Sequence, residues 1–111
     1  MTFNEYQDRS DMTVHNKDQY GDDYFIYLTL AINGEAGELA EKIKKIWREK
    51  GKKANVEDKE EIKKEMGDIL WYLAQLSESL GFSFEDVAVA NLKKLKSRLE
   101  RGALYGSGDN R

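Results

Sequence analysis

Apolar side chains recur at intervals of three and four along most of this 111-residue chain, which is the period of an amphipathic α-helix. The pattern covers three long stretches, at about 24–50, 55–81 and 83–102, and a shorter one that ends near residue 14. The chain has no proline, so its helices can run long, and glycines mark the breaks between them. The sequence therefore predicts an all-α fold of four helices.

Capping residues stand at the expected starts of three of these helices. A Ser, Thr or Asn side chain that accepts a hydrogen bond from a backbone N–H two or three residues on stabilises a helix N-terminus. The predicted caps are Thr2 with Glu5, Asn55 with Asp58, and Ser83 with Asp86. Gly51 and Gly81 are expected to end the two long central helices. Segment 15–23 is predicted to be polar and turn-like, and 102–111 to be a glycine-rich tail.

Two acidic pairs, Glu35-x-x-Glu38 and Glu65-x-x-Asp68, lie 30 residues apart within the two central helices. A spacing of three places both carboxylates of a pair on one helical face. If the two helices pack antiparallel, the acidic faces can meet, and four carboxylates would then repel one another unless a cation sits between them. Carboxylate oxygens without histidine or cysteine suit Mg²⁺ better than zinc. The sequence therefore predicts a magnesium site between these helices.

Glycines interleave with both acidic pairs, at Gly34, Gly37 and Gly67. A glycine inside a helix costs about 1 kcal/mol relative to alanine, so three of them beside the acids need a reason. They can allow close approach of two helices, or leave room for ions and a phosphate chain. Alternatively, the acids form a solvated face and the glycines are simple packing notches.

Composition narrows the classes of binding partner and the cellular compartment that we expect for this protein. Charged residues make up 35% of the chain but the net charge is only −3, so we expect no nucleic-acid polymer as a partner. No apolar run approaches membrane-spanning length, so we expect no membrane partner either. There is no cysteine and no signal-like start, so we expect a cytoplasmic protein without disulfides. We expect one domain over 1–111, and because so short a chain buries a modest fraction of its surface, we expect a homodimer or homotetramer.

The run 33–41 (Asn-Gly-Glu-Ala-Gly-Glu-Leu-Ala-Glu), followed by 65–73 (Glu-Met-Gly-Asp-Ile-Leu-Trp-Tyr-Leu), closely resembles the MazG-like nucleotide pyrophosphohydrolases of the all-α NTP pyrophosphatase superfamily. Their signature is ExxE, a spacer and ExxD, and the likeness extends through 91–98 and the tail at 106–111. The resemblance implies a four-helix bundle-like fold with antiparallel long helices. It also implies Mg²⁺-dependent hydrolysis of an NTP or dNTP to a monophosphate and pyrophosphate, with Mn²⁺ as an alternative metal.

The resemblance also assigns roles to the acids. The implied metal ligands are Glu35, Glu38, Glu65 and Asp68. Glu38 is our choice for the catalytic base, because a base must lie within hydrogen-bond reach of the attacking water.

In the resembling family an Asn and basic residues of the fourth helix contact the triphosphate. Asn91 and Arg98 are seven residues apart, two turns of helix, with Lys94 between them on the same flank. All three are therefore predicted phosphate-binding residues, and for the two cations ordinary surface charge is the alternative.

Five further residues are candidates for contacts with substrate. Tyr72 can hydrogen-bond a phosphate, support a metal ligand, or fill the helix interface. Asp109 and Arg111 complete the pocket if the tail folds over the phosphates, and do not if the tail is disordered. Trp71, like Trp47 on the preceding helix, can stack on a base or pack in the core or a subunit contact.

Two alternative functions remain open. The chain could be a relative specific for dUTP or phosphoribosyl-ATP. It could also be a non-catalytic helical dimerisation or metal-sensing module, although a scaffold would gain from replacing repelling carboxylates. The family suggests a role in sanitation of the nucleotide pool.

Overall fold

The computed structural model describes residues 1–15, 17–51 and 53–111, and no strand occurs within these ranges. Its helices are α1 Phe3–Asp11, α2 Lys17–Tyr20, α3 Tyr24–Glu49, α4 Val56–Leu80 and α5 Phe84–Glu100, with a 3-10 turn at Gly21–Asp23. The predicted all-α fold, with four main helices, is confirmed. Two local predictions are wrong: α1 ends three residues earlier than expected, and much of segment 15–23 is helical rather than turn-like. Asn16, within that segment, lies outside the described residues.

The predicted caps are present. Thr2 Oγ1 accepts from the Glu5 backbone N–H at 3.1 Å, and Ser83 Oγ accepts from that of Asp86 at 3.1 Å. At the start of α4 the cap is reciprocal, because the side chains of Asn55 and Asp58 each accept from the other residue's N–H, at 2.8 and 3.0 Å. Gly81 ends α4 with a φ of 81°, a left-handed conformation that costs little only at glycine.

Helices α3 and α4 pack as an antiparallel hairpin. Near the connection, Lys50 Nζ lies 2.7 Å from Asp58 Oδ1. Farther along, Lys42 Nζ lies 3.6 Å from Glu65 Oε1. Residues nearer the N-terminus of α3 thus pair with residues nearer the C-terminus of α4. This antiparallel register brings the two acidic pairs to the same level.

Helix α1 lies across α4 and is attached to it by buried polar groups. Gln75 Nε2 donates to Ser10 Oγ at 2.9 Å. The side-chain amide of Gln7 donates to Phe82 O at 3.0 Å and accepts from the Phe84 N–H at 2.8 Å. Gln7 therefore fixes the turn between α4 and α5, which sets the direction in which α5 leaves the hairpin.

The buried apolar core of the described chain is small. It consists of Tyr24, Leu28, Ala74 and Phe84, whereas Leu92 and Leu99 on α5 are each 66% exposed. The radius of gyration is 17.0 Å, compared with about 13 Å expected for a compact domain of this length. Helix α5 contacts α1 and α4, and among the described residues it has no Cα within 8 Å of α3. The apolar face predicted for α5 is thus formed but largely uncovered.

No helix in the described part of the chain combines the length and apolar character required to cross a membrane.

Candidate functional site

Three carboxylates from α3 and α4 come together at the middle of the hairpin. Glu35 and Glu38 stand one turn apart on α3, Glu65 faces them from α4, and one carboxylate oxygen from each lies within 4.8 Å of the others. We call these three residues the acidic cluster. Asp68, the fourth predicted ligand, is exposed and lies outside this 4.8 Å group, but its charge is close enough to act on Glu35.

The acidic cluster is electrostatically unfavourable in the absence of a cation. Burial raises the pKa of Glu35 above its ordinary value, and the charges of Glu38, Asp68 and Glu65 raise it further. Glu35 Oε2 and Glu65 Oε2 are buried and have no hydrogen-bond partner among the described residues. Two buried acceptor atoms without a donor, in an all-carboxylate set, fit a hard divalent cation such as Mg²⁺ or Mn²⁺.

Two residues that sequence reasoning did not select border the acids. Lys42 Nζ lies 3.6 Å from both Glu61 Oε2 and Glu65 Oε1 and so offsets part of the negative charge. Tyr6, on α1, is partly buried, and the nearby charge of Asp68 adds to burial in raising its pKa. Lys42 follows Glu38 by one turn on the same face, a spacing that could have identified it. Tyr6 had no such signal, because its place depends on how α1 crosses α4.

The glycines beside the acids do not serve close packing within the described chain. A Cβ atom added at Gly34, Gly37 or Gly67 would meet nothing within 4 Å. The interpretation of these glycines as packing notches or points of close helix approach is therefore wrong for the contacts of the described chain. Open space at these positions is compatible with the other interpretation, room for ions and a phosphate chain, and equally with a solvent-exposed face.

A cavity lined by aromatic rings lies where α2, α3 and α4 meet. Its volume is about 200 Å³, and its lining residues, here called the aromatic pocket, are Thr13, His15, Tyr20, Tyr24, Tyr27, Trp71 and Tyr72. The Tyr20 ring stacks on Tyr27 at 4.5 Å and on Tyr24 at 5.4 Å between centroids. Trp71 and Tyr72 meet edge to face at 5.0 Å.

Tyr72 connects the aromatic pocket to the acidic cluster. It follows Asp68 by four residues, one turn along the same face of α4. Burial raises the Tyr72 pKa, with further contributions from Tyr27 and from the charge of Glu35. Of the two tryptophans considered for base stacking, Trp71 lines this pocket. Trp47 lies elsewhere, against a separate apolar cavity near Ile62.

The predicted phosphate-binding cations Lys94 and Arg98 lie together on α5, where Asp109 of the tail contacts both. Arg98 is only 4% exposed, and its Nη2 donates to Asp109 O at 2.6 Å and to Asp109 Oδ1 at 3.4 Å. Lys94 Nζ reaches the same carboxylate oxygen at 3.4 Å. We call this contact between Lys94, Arg98 and Asp109 the tail clamp. Hydrogen bonding and charge from Lys94, and then from Arg98, lower the pKa of Asp109.

The tail is therefore folded against α5. Arg111 anchors its end, since the guanidinium donates to Leu104 O at 3.0 Å and to Ala103 O at 3.1 Å. Asn91 is exposed on α5. Because α5 does not approach α3 within the described part of the subunit, these residues form a second group rather than a wall of the acidic cluster.

The segment that carries the acidic cluster matches a known protein family. A family model described as the MazG nucleotide pyrophosphohydrolase domain matches residues 25–102. Gene 37 protein of Mycobacterium phage L5 is 46% identical over 85 residues, which cover 77% of this chain and 75% of that protein.

Two proteins of Bacillus subtilis (strain 168) are also similar. The uncharacterized protein YvdC is 38% identical over 71 residues, covering 60% of this chain and 67% of that protein. The uncharacterized protein YpjD is 34% identical over 82 residues, covering 72% of this chain and 73% of that protein. No solved structure matches. The family match includes the acidic cluster and α5 and leaves α1 and α2 outside.

Proposed function

The chain belongs to the MazG nucleotide pyrophosphohydrolase family, and from this premise we propose that it hydrolyses nucleoside triphosphates, ribo- or deoxyribo-, to a monophosphate and pyrophosphate. The observation that carries the proposal is the acidic cluster, whose two buried oxygens without a donor lie in the matched segment. We treat residues 1–111 as one domain, because Tyr6 on α1 also borders Asp68. The activity suits removal of aberrant nucleotides from the nucleotide pool.

We assign Glu35, Glu38, Glu65 and Asp68 as the residues that hold Mg²⁺ or Mn²⁺. When bound, such an ion would neutralise phosphate oxygens and lower the pKa of a coordinated water. Lys42 is placed to compensate the charge of Glu65 in the free protein. Gly34, one turn before Glu38 on α3, has open space at its Cβ position, which leaves room for a phosphate chain beside that carboxylate.

Glu38 is the proposed catalytic base. It is exposed, whereas Glu35 and Glu65 are partly buried, so Glu38 is the member of the cluster that a water molecule reaches most readily. Its carboxylate takes a proton from the attacking water as the water adds across the anhydride between the α and β phosphates. The products are the nucleoside monophosphate and pyrophosphate, and the proton leaves from Glu38 to solvent.

Asn91, Lys94 and Arg98 are the proposed phosphate-binding residues of α5, with Tyr72, Asp109 and Arg111 as further contacts. In the free protein Asp109 pairs with both cations. Binding of a triphosphate to Lys94 and Arg98 therefore requires that Asp109 moves away from them and the tail clamp opens. Since α5 does not approach α3 in the described part of the subunit, we propose a homodimer or homotetramer in which α5 of one copy reaches the acidic cluster of another.

Pyrophosphate release from a panel of NTPs and dNTPs, including dUTP and phosphoribosyl-ATP, tests the activity. We expect release with Mg²⁺ or Mn²⁺ and none with EDTA. Glu38→Gln should lower kcat by about 10²–10⁴-fold, the usual contribution of a general base, with an unchanged helical circular-dichroism spectrum.

The matched control is Glu41→Gln, one turn farther along α3. Glu41 is exposed and paired with Lys44 at 2.8 Å, so this change should leave kcat unaltered. Absence of pyrophosphate release across the panel would overturn the proposal. Mg²⁺ binding without turnover would then favour the non-catalytic metal-sensing module, and turnover confined to dUTP or phosphoribosyl-ATP would identify the specific relative.

A further inference from the structure

The two oxygens of the Glu65 carboxylate lie in different surroundings. Oε1 is 3.6 Å from Lys42 Nζ, whereas Oε2 is buried and has no hydrogen-bond donor among the described residues. Glu65 is the member of the acidic cluster that α4 supplies, and its side chain is 14% exposed. One oxygen of this carboxylate thus lies beside a cation of the protein itself, and the other is left without a partner.

Lys42 connects α3 to α4 through two carboxylates. It follows Glu38 by one turn of α3, and its ammonium lies 3.6 Å from Glu61 Oε2 as well as from Glu65 Oε1. Glu61 is itself held by its other oxygen, because Lys64 Nζ lies 3.0 Å from Oε1. We call the contact between Glu61, Lys42 and Glu65 the lysine bridge.

The lysine bridge acts on a carboxylate that other charges repel. An isolated ion pair at a protein surface contributes little to stability, but Glu65 lies beside Glu35 and Glu38. Like charges repel, so on its own the Glu65 side chain would gain by turning away from these two acids toward water. Attraction to Lys42 opposes that movement, and Glu61, one turn earlier on α4, keeps the ammonium between the two helices. The bridge therefore favours one orientation of Glu65 in the free protein.

We propose that Lys42 is a positioning residue for the divalent cation: the lysine bridge holds Glu65 toward the acidic cluster, so that Oε2 is in place before the ion arrives. This inference rests on the proposed function for the presence of the ion. It adds two residues, Lys42 and Glu61, that act through Glu65 and not on the ion directly. Removal of a group that orients a metal-binding side chain in this way typically lowers metal affinity by about 10–100-fold.

The sign of the effect separates positioning from simple electrostatics. Lys42 is a positive charge beside a site for a cation, so charge repulsion alone predicts that its removal strengthens metal binding. Positioning predicts the opposite result. A Glu65 side chain that has turned away from the cluster must be brought back when the ion binds, and this reorganisation lowers the affinity.

Titration of the free protein with Mn²⁺, without nucleotide and with the unbound ion measured by EPR, tests the inference. Lys42→Met keeps the apolar stem and removes the charge, and it should weaken Mn²⁺ binding by about 10–100-fold. Lys42→Arg keeps the charge and should retain most of the affinity. The control is Lys45→Met, because Lys45 is exposed and lines the same cavity as Lys42 and Glu61 but forms no ion pair with Glu65 among the described residues. Its loss should not weaken binding.

Glu61→Gln tests the other end of the lysine bridge. This change leaves Lys42 in place and should also weaken Mn²⁺ binding. Glu60→Gln removes the same charge from a neighbouring position, where Glu60 pairs with Lys63 at 2.9 Å, and it should weaken binding less. Equal effects of the two changes would show that Glu61 acts only through its charge and would overturn the bridge.

Unchanged or tighter Mn²⁺ binding by Lys42→Met would overturn the inference, as would a wild type that binds no Mn²⁺. A loss of affinity that is equally large in Lys42→Arg would also overturn it, because the charge would then not be what matters. The measurement does not depend on turnover. Weaker Mn²⁺ binding by Lys42→Met, in a protein whose wild type hydrolyses no triphosphate, would overturn the proposed function and leave the lysine bridge standing.

Discussion

Glu35 is a side chain whose charged form is disfavoured by its surroundings in the folded protein. Burial disfavours its charge, and three neighbouring carboxylates act in the same direction, so its pKa is raised. Lys42 pairs with Glu61 and Glu65, and no ion pair to Glu35 occurs among the described residues. The fold therefore carries a local penalty at this position that a bound cation would relieve.

The first prediction concerns that penalty. Glu35→Gln removes the charge and keeps the shape, so in EDTA at pH 7 its melting temperature should exceed that of the wild type. Mg²⁺ at about 100 times its Kd should stabilise the wild type by roughly 2.7 kcal/mol and the variant much less. Differential scanning calorimetry with and without Mg²⁺ measures both effects, and Glu41→Gln is the control.

A lower melting temperature for Glu35→Gln than for the wild type in EDTA would contradict the account of this residue. Unchanged stabilisation by Mg²⁺ in the variant would contradict its proposed role as a ligand.

For single residues, the sequence predicts correctly those features that depend on spacing within one helix. The spacing of Glu35 and Glu38 fixes their common face, and the glycine between them was visible at once. Tyr6 and Tyr27 were not foreseen, because their positions depend on the crossing of α1 and on the register between α3 and α4. The tail clamp was missed for the same reason: Asp109 meets Lys94 only because the chain turns back after α5.

Among the helices, α4 shows most clearly how an element is fixed at its start. Asp58 accepts the Asn55 N–H and also pairs with Lys50 from the end of α3. The hydrogen bond and charge of Lys50, followed by the Asn55 N–H, lower the pKa of Asp58. One carboxylate thus caps α4 and links it to α3.

The second prediction is the pH dependence of that cap. Because the folded-state pKa of Asp58 is lowered from 3.8, its contribution is present above the unfolded value and is lost as the pH falls through the folded value. Asp58→Asn should therefore melt below the wild type at pH 6, and the difference should close under acid. Thermal melts from pH 6 to pH 2 measure it.

Glu57→Gln, at the exposed neighbouring position, is the control and should show no such convergence. A gap between Asp58→Asn and the wild type that persists at the lowest pH would show that the carboxylate charge does not explain the cap.

Helices with both a clear period and a cap were predicted closely from the sequence. The start of α4 and its end at Gly81 are as expected, because a capping box and a left-handed glycine are encoded within a few residues. Segment 15–23 had no period to indicate the short helix α2, and its structure depends on tyrosine stacking against α3. The local sequence pattern alone does not predict this contact between the tyrosine rings.

At the scale of the whole molecule, the described chain is more extended than a compact domain of its length and leaves large apolar side chains exposed. Its radius of gyration is 17.0 Å, and Leu92 and Leu99 are each 66% exposed on α5. Ile43 and Met66 on the central hairpin are also exposed. The helical period predicted these apolar rows but could not say whether they pack within one chain or between two.

The third prediction is self-association. Sedimentation equilibrium at micromolar concentration should give a dimer or tetramer, since apolar rows of this extent are typical of interfaces. Leu92→Glu should shift the protein toward monomer because it buries an unpaired charge. Lys93→Glu on the same helix, exposed and about 100° around the helix from Leu92, should not. A wild type that is only monomeric would contradict the proposed assembly.

The tail clamp has a consequence for how a polyphosphate meets this protein. Lys94 and Arg98 already hold an anion that belongs to the chain itself. On the proposed function, a nucleotide that binds must displace Asp109 from Lys94 and Arg98. The observed affinity for the nucleotide therefore reflects a competition between the Asp109 carboxylate and the phosphate for these two cations. The last few residues of the chain would then set the threshold concentration at which the protein responds to its substrate.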